Sequence, residues 1–424
     1  MKRFTNWMIG SACENPEQRD MIWNMIGSFL YAFASMVLSI AVIQIVGERE
    51  GGIFTFAFST FGQHMFMVAY FGIRPFQITD MGKRYTFGDY LGLRLLTCAA
   101  ALLFGLGYVA LHDYTREKAM VVFLMVCYKV IDALADTYEA EFQRSGRLYL
   151  TGKSNAFRTL LSVSLFLTSL TLTKNLMAAS LVAVAAQILG LLLFDVAIIH
   201  GLLEIDWTSQ WRAKWGLLRD NSLLFFSVVL DFYIFSASKY AIEEHMLDKD
   251  LAVYGAIFMP TSVINLVAGF VIRPYLTRMS MAWEDRDLSY FVRLIRKQAL
   301  VIVGLTVLAV GGAWFLGIPV LGLVYSNIRY ALQECRFPLV CIILGGALNA
   351  FMNLFYYVLI IMKKQRFIFL LYGAVALLAL WMSPLFVKQS GILGASLSYM
   401  ILMGVLMLGF FLHAAYFFVK EKRG

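Results

Sequence analysis

Lys129, Asp132 and Asp136 stand at i, i+3 and i+7 in an otherwise apolar stretch, MVVFLMVCYKVIDALADTYEA, and a helix sets them within about 60° of one another on one face. Such a stripe can bind an ion, carry a proton or hold a charged substrate. An ionisable side chain at mid-membrane costs roughly 3 kcal/mol or more unless it is paired or hydrated. A plain Lys129–Asp132 pair that glues two helices is the simpler alternative, but it leaves Asp136 on the same stripe without a purpose. Asp231 and Lys239 fall inside another apolar run, about 80° apart on a helix, so each would meet a different neighbour. His64 follows Gln63 in mid-run and is read as a hydrogen-bonded packing residue or, less economically, a proton carrier. Asn349, Asn353 and Tyr357 repeat at i, i+4 and i+8 as a neutral polar stripe of the kind that bonds neighbouring helices or lines a cavity. Pro260 interrupts a further apolar run and is a candidate hinge.

The elements that must position these groups are set by composition. Sixty per cent of the 424 residues are hydrophobic, only 15% are charged and the mean hydropathy is +0.72. A water-soluble domain carries about a quarter charged residues, so this chain lacks a polar coat. Its apolar runs approach the ~20 residues needed to cross hydrocarbon as helix and are too long for barrel strands. Spans are expected near 25–46, 52–72, 91–111, 119–140, 155–173, 177–200, 221–242, 251–272, 298–325, 337–362, 367–386 and 391–417. The amino terminus is basic but has no apolar core of a cleaved signal. Five scattered cysteines, with no CxxC and no histidine at ligand spacing, imply neither a disulfide framework nor a metal site.

If the chain crosses at each span, 26 of the 36 Lys and Arg residues fall on the side of both termini, 8 on the other, and Lys129 and Lys239 within spans. That asymmetry puts both termini in the cytoplasm and accounts for the net charge of +9 without nucleic acid. Ile73-Arg74-Pro75-Phe76 recurs as Ile272-Arg273-Pro274-Tyr275, and Arg94-Leu95 as Arg293-Leu294, both at an offset of 199 residues. The repeat divides the chain into six-helix lobes of like orientation, residues 1–203 and 221–424. Between them Trp207, Trp211, Trp215 and Leu218 share one helical face, so 204–220 is expected to be an amphipathic linker helix in the headgroup layer. Arg74 and Arg273 precede a proline at corresponding span ends; interface anchoring explains both, and their repetition also admits an anionic headgroup. No nucleotide-binding glycine loop, HExxH or GxSxG occurs. A transporter is therefore expected rather than an enzyme, driven by an ion gradient, the membrane potential or a partner.

The segments GIRPFQITD (72–80) and TYEAEFQRSGRLYLTGKSNAFRTLLS (137–162), with twelve spans in two halves, resemble the polysaccharide repeat-unit flippases of the multidrug/oligosaccharidyl-lipid/polysaccharide exporter superfamily, the O-antigen and capsule type of bacteria. The resemblance implies an all-α membrane protein of two pseudo-symmetric lobes around a central cavity, in a bacterial plasma or inner membrane. It further implies a flippase that moves an undecaprenyl-pyrophosphate-linked oligosaccharide to the outer leaflet, coupled to H+ or Na+ and without a cofactor. Polymerases and glycosyltransferases of the same pathway are the implied partners. Carried onto this sequence, Lys129, Lys239, Arg74 and Arg273 are the candidates for pyrophosphate and sugars, with Asn349 and Asn353 as further polar candidates, and Asp132, Asp136, Asp231 and His64 for coupling. The two extra spans of lipid II flippases are missing. A cation-coupled multidrug antiporter of the same superfamily is the alternative, with Asp132, Asp136 and Asp231 as its cation site. An intramembrane glycan polymerase is a more distant one, opposed by the short outer connections.

Overall fold

The computed structural model describes residues 8–10, 16–80, 84–202, 205–272 and 275–423. Twelve helices follow the twelve apolar runs: α1 (Pro16–Val46), α2 (48–70), α3 (Phe87–Leu111), α4 (Arg116–Arg144), α5 (Leu148–Thr173), α6 (176–199), α7 (Trp211–His245), α8 (Asp248–Ile272), α9 (288–324), α10 (Arg336–Ile361), α11 (365–390) and α12 (391–423). Most are long and apolar enough to cross a bilayer. The exception that matters is α4, whose buried charges depress its hydropathy. Gly47, with φ of 98° and ψ of 179°, separates α1 from α2, and Gly391, with φ of 55° and ψ of −130°, separates α11 from α12; only glycine adopts such pairs of angles without strain. A Thr86–Asp89 capping box starts α3.

The chain divides into two compact units, residues 1–229 and 230–424. In the first, α3, α4, α5 and α6 bury Phe87, Tyr138, Phe142, Tyr149 and Ile198 in a common core. In the second, α8, α9 and α10 pack Ile272, Ile302 and Leu354 together. The expected linker helix is corrected: residues 211–220 are not a separate helix but the first turns of α7, which runs unbroken to His245 because no proline interrupts it. Trp207 precedes that helix and sets its ring edge-on to Phe87 at 5.0 Å, so it cannot share a helical face with the exposed Trp211 and Trp215.

Helices α1 and α5 meet through glycines. A Cβ added to Gly152 would lie 2.1 Å from the Trp23 carbonyl oxygen, and one added to Gly27 would lie 2.6 Å from that of Gly152. Small residues at such crossings let backbones approach closely. Gly152→Ala, which would ordinarily firm a helix by about 1 kcal/mol, is therefore expected to destabilise the protein by about 1–3 kcal/mol. Unfolding of the purified protein in a denaturing detergent checks the sign; a gain in stability would show that the backbones are not in contact.

Candidate functional site

Three stretches of backbone widen from the usual i→i+4 hydrogen bonding to i→i+5: Thr55–Phe61 in α2, Leu191–Val196 in α6 and Ala313–Gly317 in α9. Such bulges insert one residue and re-aim the side chains around them. The bulge in α2 carries Phe58, and the bulge in α6 carries Asp195. Both project into the interior of the first unit.

Phe58 is the floor on which Lys129 rests. The Lys129 ammonium lies 4.0 Å from the Phe58 ring centre and 5.5 Å from that of Tyr31, and it donates to the Tyr31 hydroxyl at 3.3 Å. Gly62 makes room: a Cβ there would sit 3.3 Å from Lys129 Cγ. Tyr31 in turn donates to Asp132 at 2.7 Å, so the hydroxyl links lysine and carboxylate. The helix-local Lys129–Asp132 ion pair that the spacing suggested does not form. Asp132 is taken instead by Arg158 at 3.2 Å and by Gln187 at 3.2 Å.

Arg158 is the hub of the buried charges. Fully buried on α5, it also reaches Glu139 at 2.8 Å and Asp195 at 2.8 Å, while Ser154 donates to Asp195. Gly190 gives its stem space, since a Cβ there would lie 2.7 Å from Arg158 Cγ. One turn further along α4, Asp136 accepts from Arg74 and, at 3.1 Å, from the fully buried Arg94. Arg74 also approaches Glu139 at 3.5 Å, and Arg94 donates to Thr137 and to the Ala69 carbonyl. Arg74, Arg94, Arg158 and Lys129 thus face Asp132, Asp136, Glu139 and Asp195, four cations against four carboxylates, and the network carries no net charge. Burial is tolerable on those terms alone.

The second unit is built differently. Lys239 on α7 is buried with its ammonium 4.1 Å from the centre of Phe258 and 5.9 Å from that of Phe235. Like Lys129, it forms no ion pair among the described residues. Phe58 and Phe258, the rings beneath the two lysines, are 200 residues apart, one more than the offset of the sequence repeat. Asp231 accepts a hydrogen bond from the Tyr372 hydroxyl, with Tyr356 and Tyr399 also close, and no cation pairs with it among the described residues.

His64 hydrogen-bonds the Val229 carbonyl, tying α2 to α7. Asn353 donates to the backbone carbonyl of Asn349 on its own helix, at 3.0 Å, while the Asn349 side chain is buried. Pro260 sits within α8, which continues through it. Arg273 lies outside the described residues. Sequence reasoning misses Arg94, Arg158, Glu139 and Asp195. The two arginines read as span-end charges, but Asp195 lies inside the sixth apolar run, and a lone carboxylate there is a legible signal. Among the described residues no cluster of His, Cys, Asp and Glu is arranged to hold a metal ion.

No protein-family model matches the sequence, and no curated protein matches it. Solved structures do. An inward-facing multidrug resistance MATE family transporter of the MOP superfamily aligns over 92% of this chain and 96% of that one, with a TM-score of 0.68 and 13% identity. The fold is that of the MATE transporters. A MOP superfamily transporter from Pyrococcus furiosus, described as having a binding pocket of reversed polarity, aligns over 99% and 98% with a TM-score of 0.62 and 12% identity. A Vibrio cholerae MATE transporter aligns over 95% and 96% with a TM-score of 0.57 and 14% identity. The expected all-α architecture of two six-helix units is thereby met in solved proteins of known class.

Proposed function

We propose that this MATE-like protein is a membrane transporter that moves a polyprenyl-pyrophosphate-linked oligosaccharide from the cytoplasmic to the outer leaflet, with both termini in the cytoplasm. The observation that carries the reading is the pair of buried lysines, Lys129 and Lys239, each laid on an aromatic ring and free of an ion-pair partner among the described residues. A buried ammonium held this way suits an anion, because an incoming phosphate oxygen can contact it directly without displacing a carboxylate. The three arginines do not offer this, since carboxylates already occupy them. The solved structures of like fold support transport as the class of activity. The test is the purified protein in liposomes with a fluorescent polyprenyl-pyrophosphate glycan. Time-dependent movement of the glycan between leaflets is expected; movement no faster than in protein-free liposomes refutes the proposal.

A second reading, cation-coupled multidrug efflux, is favoured by Asp231 alone, an unpaired carboxylate among tyrosines. Such a group suits an organic cation or, in the first reading, a coupling H+ or Na+. If it couples transport, Asp231→Asn lowers glycan export about tenfold, the worth of one charge-assisted hydrogen bond, and leaves resistance to organic cations unchanged. Loss of that resistance with intact glycan export would favour the antiporter.

A further inference from the structure

The first unit holds a second feature that the charged network does not use. A cavity of about 1010 Å³ lies among α2, α3 and the start of α7, and its lining is apolar except for Thr97 and the Tyr108 hydroxyl. Along α3 the lining residues Leu96, Ala100, Phe104 and Leu111 recur at helical spacing, and Leu218 and Phe225 face them from α7. Leu96, Phe104 and Leu111 are strongly exposed, so the cavity is a groove open along its side rather than a sealed void.

Two measures identify what fits it. The first is length. From Leu93 to Leu111 the lining follows α3 for about 27 Å at 1.5 Å per residue, nearly the whole ~30 Å hydrocarbon thickness. An acyl chain of a phospholipid belongs to one leaflet and covers about half that depth. A long polyprenyl chain reaches across both. The second is charge at one end. The Lys214 ammonium lies against Gly92, 3.2 Å from where a Cβ would stand. Lys214 is one helical turn before Leu218, and Gly92 one turn before Leu96, so a cation sits directly at the end of the groove. That is the arrangement for a lipid with a phosphate head and a long hydrocarbon tail.

We infer that this groove is the binding site for the polyprenyl tail of the lipid-linked substrate, with Lys214 at the phosphate end. The inference rests on the proposed substrate class and extends it to a separate part of the molecule. When the head changes side, the isoprene units next to the phosphate must follow it, while the rest of the tail can stay on the apolar surface of the groove.

Gly107 supplies the test. It lines the groove, and a Cβ added there meets nothing within 4 Å, so the backbone accepts a side chain at this position and Gly107→Trp is the variant chosen to fill the groove. The full-length protein in lipid nanodiscs is irradiated with a polyprenyl phosphate bearing a diazirine in its tail, and in parallel with a diazirine-tailed phosphatidylglycerol. Adducts of the first probe are expected within residues 93–111 and 218–229, competed by unlabelled polyprenyl phosphate. They should fall about tenfold in Gly107→Trp, the effect of displacing two methylenes. Ala100→Trp, assayed alongside, is expected to do the same, and monodisperse elution shows that each variant is folded. Equal labelling by both probes without competition would make the groove an ordinary lipid contact and overturn the assignment, as would no labelling. The two proposals separate cleanly. Glycan flipping by the wild type without groove labelling removes the tail site and keeps the transporter; labelling without flipping keeps the tail site and removes the flippase.

Discussion

Arg158→Met is expected to cost the first unit about 3–5 kcal/mol, enough to abolish a stable, monodisperse protein. Arg158 alone joins Asp132, Glu139 and Asp195, and it does so fully buried. Without it Asp132 keeps Tyr31 and Gln187, Glu139 keeps only a 3.5 Å approach to Arg74, and Asp195 keeps the Ser154 hydroxyl. The four carboxylates are then left with Arg74, Arg94 and Lys129, and stranded buried charge is far costlier than a missing contact. The rescue is specific. Arg158→Met combined with Asp195→Asn leaves three cations against three carboxylates and should recover most of the loss, since replacing a buried ion pair as a unit is often harmless. Yield and the unfolding midpoint report both results. A stable single variant, or a double variant no better than the single, would mean that these groups are solvated instead of locked together.

Lys129→Met should do the opposite: leave the fold standing and stop transport. The methionine keeps the aromatic contact with Phe58 and Tyr31, and Lys129 makes no direct ion pair among the described residues, so the cost in stability should be small beside that of Arg158→Met. The network is left one unit negative, and the site for an incoming phosphate is gone. A hydrogen bond to a charged group is worth about 1.5–3 kcal/mol, so the initial rate of glycan translocation should fall about 10- to 100-fold. Lys129→Arg should not restore it, because a planar, delocalised guanidinium does not reproduce the compact ammonium that rests on Phe58 and donates to Tyr31. Wild-type rates in a folded Lys129→Met protein would reduce this lysine to packing and shift the weight to Asp231.

Run lengths of apolar residues carried the span count, and each of the twelve expected spans has its helix, because crossing hydrocarbon allows no backbone alternative to helix or closed barrel. That α4 is charged on one face was legible too. What those charges touch was not. Spacing within one helix relates Lys129 to Asp132, yet Asp132 goes to Arg158 on α5 and Tyr31 on α1, while Lys129 goes to Phe58 on α2. Arg94 and Arg158 look like interfacial charges from their place near span ends; packing turns both inward and buries them. Asp195 and Phe58 are aimed by bulges of one residue that leave no mark in the pattern of apolar positions. Periodicity follows from the geometry of a single helix and can be read along the chain. Partner choice is settled between helices far apart in sequence, where the cost of unpaired charge selects one arrangement from many, and only the tertiary structure holds that information.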